Sequence, residues 1–245
     1  MNQDSKHFLD AEHHTLFMQV VGIRMQIMED FNQNQLTMLK LSQELQSPTD
    51  ASMARLKHLV RLLLGQRSVV SSVRTQEGNH GIEVAVDSDW AGCRRTAKST
   101  SGGVIMRGGH CLKSWSSTQK NITLSSGEGE LVAAVKMSTE LLGVMQLAQE
   151  WGMTMEGKVY VDSSAALGAV ARRGCGKLRH VKIGMLWIQE KAEEGELSYK
   201  KVSGENNPAD LMTKILTQNV LDRHLEKMGQ STRRVNASVG LELQR

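Results

Sequence analysis

The chain has 245 residues, 40% of them hydrophobic, enough to bury a core in one domain with an appendage or in two small domains. No run approaches the roughly 18 consecutive apolar residues of a membrane span, and Asp4, His7 and Asp10 interrupt the start where a secretory signal would be apolar, so an intracellular protein, cytoplasmic or nuclear, with no membrane partner is expected. A net charge of +4 permits a polyanionic partner without requiring one, and Cys93, Cys111 and Cys175 lack the paired spacing of a zinc site or a disulfide framework.

In chain order, Thr15 to Leu45 sets Phe17, Val20, Val21, Met25 and Met28 among polar residues at helical spacing. Ser47-Pro48-Thr49-Asp50 then supplies a turn and an N-cap for a second helix. Its Leu56, Leu59, Val60, Leu63 and Leu64 share a face, and Gly65 suits its end. The polar stretch from Gln66 to Gly81 carries no sustained period and marks a boundary. Beyond it Ile82, Val84 and Val86 alternate with Glu83, Ala85 and Asp87, the period of a half-buried strand ending near Trp90. Gly102 to Met106 and His110 to Trp115, joined by Arg107-Gly108-Gly109, form a predicted hairpin. Ser125-Ser126 caps a long helix running to about Trp151, and Lys158 to Val161 is a short buried strand. Ser163 to Arg172 and Val181 to Glu193 are predicted helical, Leu197 to Val202 is a fifth strand, and Pro208 suits the first turn of a last helix. The expected organisation is a small helical segment over 1–66, a linker over 67–80, an α/β domain over 81–216, and a C-terminal helix with a loose tail over 217–245.

Four carboxylates stand where a scaffold presents side chains. Asp87 lies inside the first strand of the α/β domain, Glu130 near the start of the long helix, Asp162 at the end of the fourth strand and Asp210 at the opening of the last helix. Carboxylates brought together repel one another unless a cation lies between them. Oxygen-only ligands select Mg²⁺ or Mn²⁺ over zinc, and two such ions about 4 Å apart serve phosphodiester hydrolysis. Spacing by itself equally fits solvated surface acids. Asp87 and Asp89 share a strand face, and Asp87 is preferred as the better sheltered of the two. Glu128 and Glu130 diverge by about 200° on a helix, so only one of them faces the site.

Six short motifs occur in order: Asp87-Ser88-Asp89-Trp90-Ala91-Gly92, Lys98-Ser99-Thr100-Ser101-Gly102-Gly103, Ser114-Trp115-Ser116-Ser117, Ser125-Ser126-Gly127-Glu128-Gly129-Glu130-Leu131, Val161-Asp162-Ser163-Ser164-Ala165 and Pro208-Ala209-Asp210-Leu211-Met212-Thr213-Lys214. Together they resemble the ribonuclease H domain of copia-type LTR retrotransposon Pol polyproteins, over about Glu83 to Leu216. The resemblance implies a ribonuclease H-like five-stranded mixed sheet flanked by helices. It further implies that Asp87, Glu130, Asp162 and Asp210 are catalytic carboxylates holding two Mg²⁺, for which Mn²⁺ can substitute. Within the helical motif it favours Glu130 over Glu128.

The N-terminal segment resembles the end of the same family's reverse transcriptase. The likeness rests on Leu9-Asp10-Ala11-Glu12-His13-His14-Thr15, Val20-Val21-Gly22, Ser47-Pro48-Thr49 and Ala54-Arg55-Leu56-Lys57. The polymerase palm would lie upstream, in a parent polyprotein. Tyr160-Val161-Asp162-Ser163 lacks the second aspartate of a polymerase site. The function implied is metal-dependent hydrolysis of the RNA strand of RNA/DNA hybrids; the alternative is a catalytically decayed nucleic-acid-binding module of the same fold. Arg94, Arg95, Lys98, Lys113, Lys120, Arg172, Arg173, Lys177 and Arg179 are the candidate phosphate contacts, with 2′-hydroxyl contacts from small polar residues such as Ser88 or Ser126. His180 is read as a helix-end or core histidine and Trp90 as packing. The stretch from Lys200 to Ala209 lacks the loop histidine that assists turnover in cellular ribonucleases H, which points to slow activity.

Overall fold

Helical periodicity before Gly65 resolves into α1 (Ala11–Gln26), α2 (Gln35–Ser42) and α3 (Asp50–Gly65) in a computed structural model that describes residues 7–26, 31–73, 75, 81–93, 95–176, 180 and 183–234. The chain divides into two compact units, Met1–Ser71 with Gln230–Arg245, and Ser72–Gly229. In the first unit Phe17, Val21, Met38, Leu41, Met53, Leu56 and Leu59 make one apolar core. Thr49 and Ser52 cap α3 reciprocally: the Thr49 hydroxyl accepts from the Ser52 N–H at 3.3 Å and the Ser52 hydroxyl from the Thr49 N–H at 3.0 Å. Leu64, predicted on the buried face, is 61% exposed, whereas Val60 and Leu63 of the same predicted face pack against this core.

Two expectations at the margins of this unit are corrected. Gln66–Ser71, expected as the last residue of the helical segment and the start of the linker, is strand β1. It pairs antiparallel with a strand from the stretch beyond Met228 that was expected to be loose, Gln230–Arg234. The pairing is set by a ladder between distant segments, so neither segment shows it locally. Residues 76–80 and 235–245 lie outside the described part.

The second unit is built on a mixed sheet of β2 (Ile82–Asp89), β3 (Thr100–Arg107), β4 (His110–Thr118), β5 (Gly157–Val161) and β6 (Leu197–Lys201), in the order β4-β3-β2-β5-β6. β2, β3 and β4 are antiparallel neighbours, whereas β5 runs parallel to β2 and β6 parallel to β5. Gly108 and Gly109, with φ of +56° and +81°, make the two-residue reversal between β3 and β4, a turn that needs positive φ at both positions. Helix α4 (Ser126–Glu150) starts at the Ser125 cap, whose side chain accepts from the Glu128 N–H. It lays Ala133, Ala134, Met137 and Leu141 on Val84, Val86, Ile105, Val159 and Val161.

By length and composition α4 could cross a membrane, but its buried face is the core of this unit. On the opposite sheet face Val104 packs with Leu211, Met212, Leu225 and Met228. Helices α5 (Ser164–Val170) and α6 (Trp187–Glu193) bury Ala169, Val170 and Ile188 against Leu131. This is the five-stranded mixed sheet flanked by helices that the motifs implied. The last helix differs from expectation: Pro208–Met212 is a single 3₁₀ turn ended by Thr213 at φ −127°, and the α-helix that follows, α7, is Gln218–Lys227. Strand β7 (Gln230–Arg234) belongs with β1 in the first unit.

Candidate metal centre

Because β2 and β5 run side by side and in parallel, Asp87 near the end of β2 and Asp162 just after β5 emerge at the same edge of the sheet. The first turns of α4 cross that edge. Glu130 is fixed there by the Ser88 N–H, which donates to Glu130 Oε1 at 2.9 Å. Oxygens of Asp87, Glu130 and Asp162 all lie within 4.8 Å of one another. Asp87 is 1% exposed, Glu130 is buried and Asp162 half-buried. Glu130 Oε2 is buried without a hydrogen-bond partner, an orphaned acceptor aimed into a group of acids.

The electrostatics follow from this crowding. Burial, then Asp87 and Asp162, push the Glu130 carboxyl up to about 9, and burial with Asp87 raises Asp162. Asp210, on the 3₁₀ turn, is not one of these three converging acids and is joined to Asp87 through Lys214. Burial raises its pKa to about 6 against the opposing pull of Lys214.

Lys214 Nζ lies 2.7 Å from Asp210 Oδ1 and 3.1 Å from Asp87 Oδ1. Burial works against its charged form, but Asp87 and Asp210 outweigh that and hold its pKa above the ordinary lysine value. The Thr213 hydroxyl donates to the other Asp87 oxygen, Oδ2. The turn is anchored from below by Asn207, fully buried, whose Nδ2 donates to the Val86 carbonyl at 2.8 Å and whose Oδ1 accepts from the Ala209 N–H. Oxygen donors of this kind, one of them orphaned, fit a hard divalent cation.

The neighbouring acids are used otherwise. A Cβ at Gly92 would collide with the Asp89 carboxylate, which therefore lies over the turn after β2. Glu128 accepts from the Leu124 N–H at 2.8 Å and pairs with His180 Nε2 at 3.0 Å. His180 is exposed and tied to the start of α4, so the core reading is corrected. Trp90 is 49% exposed, its indole N–H donating to the Thr123 carbonyl; it is no packed core residue, because the turn after β2 carries it outward.

Of the candidate phosphate contacts, Arg94, Lys177 and Arg179 lie outside the described residues. Arg95 and Lys120 are exposed and Lys98 half-exposed. Lys113 pairs with Glu140 and Arg173 with Glu193, while Arg172 donates to the Cys175 carbonyl in its own loop. Asn207, Thr213, Lys136 and Lys214 were missed as contributors. Lys136 stacks over Trp115, 3.7 Å from the ring centre, and donates to Ser117. Lys214 closes a motif that was quoted for its aspartate alone. Cys93, Cys111 and Cys175 form no disulfide.

The chain is 29% identical over 195 residues to the Retrovirus-related Pol polyprotein from transposon RE1 of Arabidopsis thaliana, covering 78% of this chain and 13% of that protein. It is 30% identical over 145 residues to the corresponding polyprotein from transposon TNT 1-94 of Nicotiana tabacum, covering 58% of this chain and 11% of that protein. The chain is similar to retrotransposon Pol polyproteins. It spans about an eighth of the length of these Pol polyproteins or less. No family model matches the chain. Among solved structures it is similar to LC11-RNase H1 isolated from compost, with a TM-score of 0.42, 18% identity and coverage of 59% of this chain and 98% of that one. A second is the N-terminal RNase H domain of rv2228c from Mycobacterium tuberculosis, with a TM-score of 0.37, 15% identity and coverage of 60% and 98%.

Proposed function

We propose that the sheet unit hydrolyses the RNA strand of RNA/DNA hybrids with divalent metal ions, as part of a retrotransposon Pol polyprotein or a remainder of one. The observation that carries this reading is the convergence of Asp87, Glu130 and Asp162 within 4.8 Å around an orphaned buried oxygen. Asp87, Glu130 and Asp162 would hold one ion, and Asp87 with Asp210 a second. Two divalent ions supply activation of water and stabilisation of the leaving 3′-oxygen.

The protein's own groups do the rest. The Ser88 N–H fixes the Glu130 carboxylate, Thr213 fixes Asp87, and Asn207 fixes the turn that carries Asp210. Glu130, whose carboxyl burial and the neighbouring acids push up to about 9, would have to release its proton to hold a cation, so binding would strengthen with pH. Exposed Lys120, with half-exposed Lys98, would make sequence-independent contacts to phosphates.

The test is cleavage of an end-labelled hybrid with Mg²⁺ or Mn²⁺, beside Asp162→Asn, single-stranded RNA and duplex DNA. Cleavage of hybrid RNA alone, lost in the variant, is expected. Folded protein that binds the hybrid and leaves it intact with either metal would overturn the nuclease reading and establish the decayed binding module.

A further inference from the structure

Both oxygens of Asp87 are engaged by groups of the protein itself. Oδ2 accepts from the Thr213 hydroxyl and Oδ1 from Lys214 Nζ. The two partners differ in their freedom to leave. Thr213 is 1% exposed, and its methyl lies so close to β3 that a Cβ at Gly102 would come within 2.7 Å of it. Lys214 is 41% exposed and carries its ammonium on a flexible four-carbon stem with solvent on one side. Its backbone is held by the bond from its N–H to the Asp210 carbonyl at 2.9 Å, so the side chain can move without the turn moving.

We propose that Lys214 is the internal counter-ion of the acid cluster, lying between Asp87 and Asp210 until a divalent cation displaces its ammonium into solvent. This rests on the metal-site reading above. A +1 charge that neutralises part of the cluster leaves as a +2 charge enters, so the buried carboxylates are never left facing one another unshielded. A monovalent ion brings no more charge than the ammonium it would replace, and it lacks the lysine's covalent tether. The device therefore selects divalent ions and sets a concentration threshold for them. Lys214 is in this account a positioning residue whose departure is part of metal binding.

The geometry predicts opposite effects for two substitutions. Lys214→Met removes the competing charge, so Mg²⁺ should bind more tightly. Two ion pairs that each join the half-exposed ammonium to a largely buried carboxylate together correspond to about a tenfold change in an equilibrium, discounted for screening at the lysine. Lys214→Arg places a planar fork that can grip both carboxylates, so Mg²⁺ should bind more weakly than to the natural protein. A role confined to holding the turn together would not tighten binding in one variant and weaken it in the other.

The experiment is calorimetric titration of Mg²⁺ into the EDTA-stripped 245-residue chain without nucleic acid, for the natural sequence, Lys214→Met, Lys214→Arg and Asp162→Asn. The expected order of affinity is Met above Lys above Arg, with no binding to Asp162→Asn. If the natural chain binds Mg²⁺ and Asp162→Asn does not, yet Lys214→Met binds no more tightly, the counter-ion role is overturned and the metal site stands. If no variant, nor the natural chain, takes up Mg²⁺, the metal-site reading fails and this proposal with it. Should Lys214→Met not fold, the ¹³Cε resonance of Lys214, assigned by its absence from Lys214→Arg, decides the matter in the natural protein. It should move toward the position of solvent-exposed lysines as Mg²⁺ saturates, and a resonance unmoved at saturation overturns the proposal.

Discussion

Gly102→Ala tests whether β3 positions the turn that carries Asp210. Gly102 pairs with Asp87 in the β2–β3 ladder, and a Cβ there would lie 2.5 Å from Met212 Cβ, 2.7 Å from Thr213 Cγ2 and 3.2 Å from the Ala209 carbonyl oxygen. Carbon atoms in ordinary contact stand about 3.5–4.0 Å apart, so the turn must retreat by about 1 Å. Two of the three atoms met are a backbone-attached Cβ and a backbone oxygen, which cannot swing aside as a long side chain would. Overpacking of this kind costs about 1–3 kcal/mol, a fall in melting temperature of roughly 2–10 °C for a unit of this size.

The larger effect should fall on the site, because Thr213, Lys214 and Asp210 all ride on the displaced segment. A misplacement of about 1 Å at reacting groups can cost about 100-fold in rate. Gly103→Ala is the comparison: its Cβ meets the Sδ, Cε and Cγ atoms of one core side chain, Met137, and no atom of the turn within the three nearest. The assay is single-turnover cleavage of saturating hybrid together with thermal unfolding of both variants. If Gly102→Ala lowered the melting temperature yet cleaved at the natural rate, the argument that this close approach places Asp210 would be wrong.

The metal-free protein should lose stability as pH rises from about 4.5 towards 9, because the folded state binds the Glu130 proton more tightly than the unfolded chain does; Glu130→Gln should flatten that slope in urea titrations with EDTA. At the acid end His224 acts in the other sense. It is fully buried, its two ring nitrogens have no hydrogen-bond partner, and burial with nearby Lys227 and Arg223 lowers its pKa to about 4. Its contribution, up to about 3 kcal/mol, is present above about pH 6.5 and lost as pH falls towards 4, and His224→Leu should remove that loss, with an unchanged acid slope counting against it. Gly143 is exposed within α4 with nothing within 4 Å of a Cβ, so Gly143→Ala should stabilise the protein by about 1 kcal/mol, seen as a higher melting temperature, and should leave cleavage unaffected.

Local chemistry made much of the sheet unit legible. The alternation of Ile82 to Asp87, the paired glycines of the hairpin and the serine before α4 are each determined by neighbours in sequence. The choice of Glu130 over Glu128 rested on a motif, because helical geometry says that the two diverge without saying which one meets the sheet. The structure sends Glu128 to Leu124 and His180, and Glu130 to Ser88. What stayed illegible was settled by distant partners. β1 and β7 have no period of their own and acquire strand geometry from each other. Lys113 and Arg173 read as free cations until Glu140 and Glu193 lie beside them. Lys214 is one of 30 basic residues, and only the approach of β2 to the 3₁₀ turn distinguishes it.

That turn explains why the stretch Asn207 to Lys214 behaves as one unit. Asn207 ties it to the Val86 carbonyl, Ala209, Leu211 and Met212 are buried, and Thr213 reaches Asp87. Asp210 and Lys214 are left at the rim with opposite charges four residues apart. A longer α-helix would have kept Asp210 and Lys214 on one face. The break at Thr213 does something further: it frees that residue to bond Asp87 while Lys214 reaches across to the same carboxylate. The 3₁₀ turn expected as a helix is therefore the element that joins the acid of the last motif to the acid of the first, and shortening it is what brings Asp87 two partners from consecutive residues.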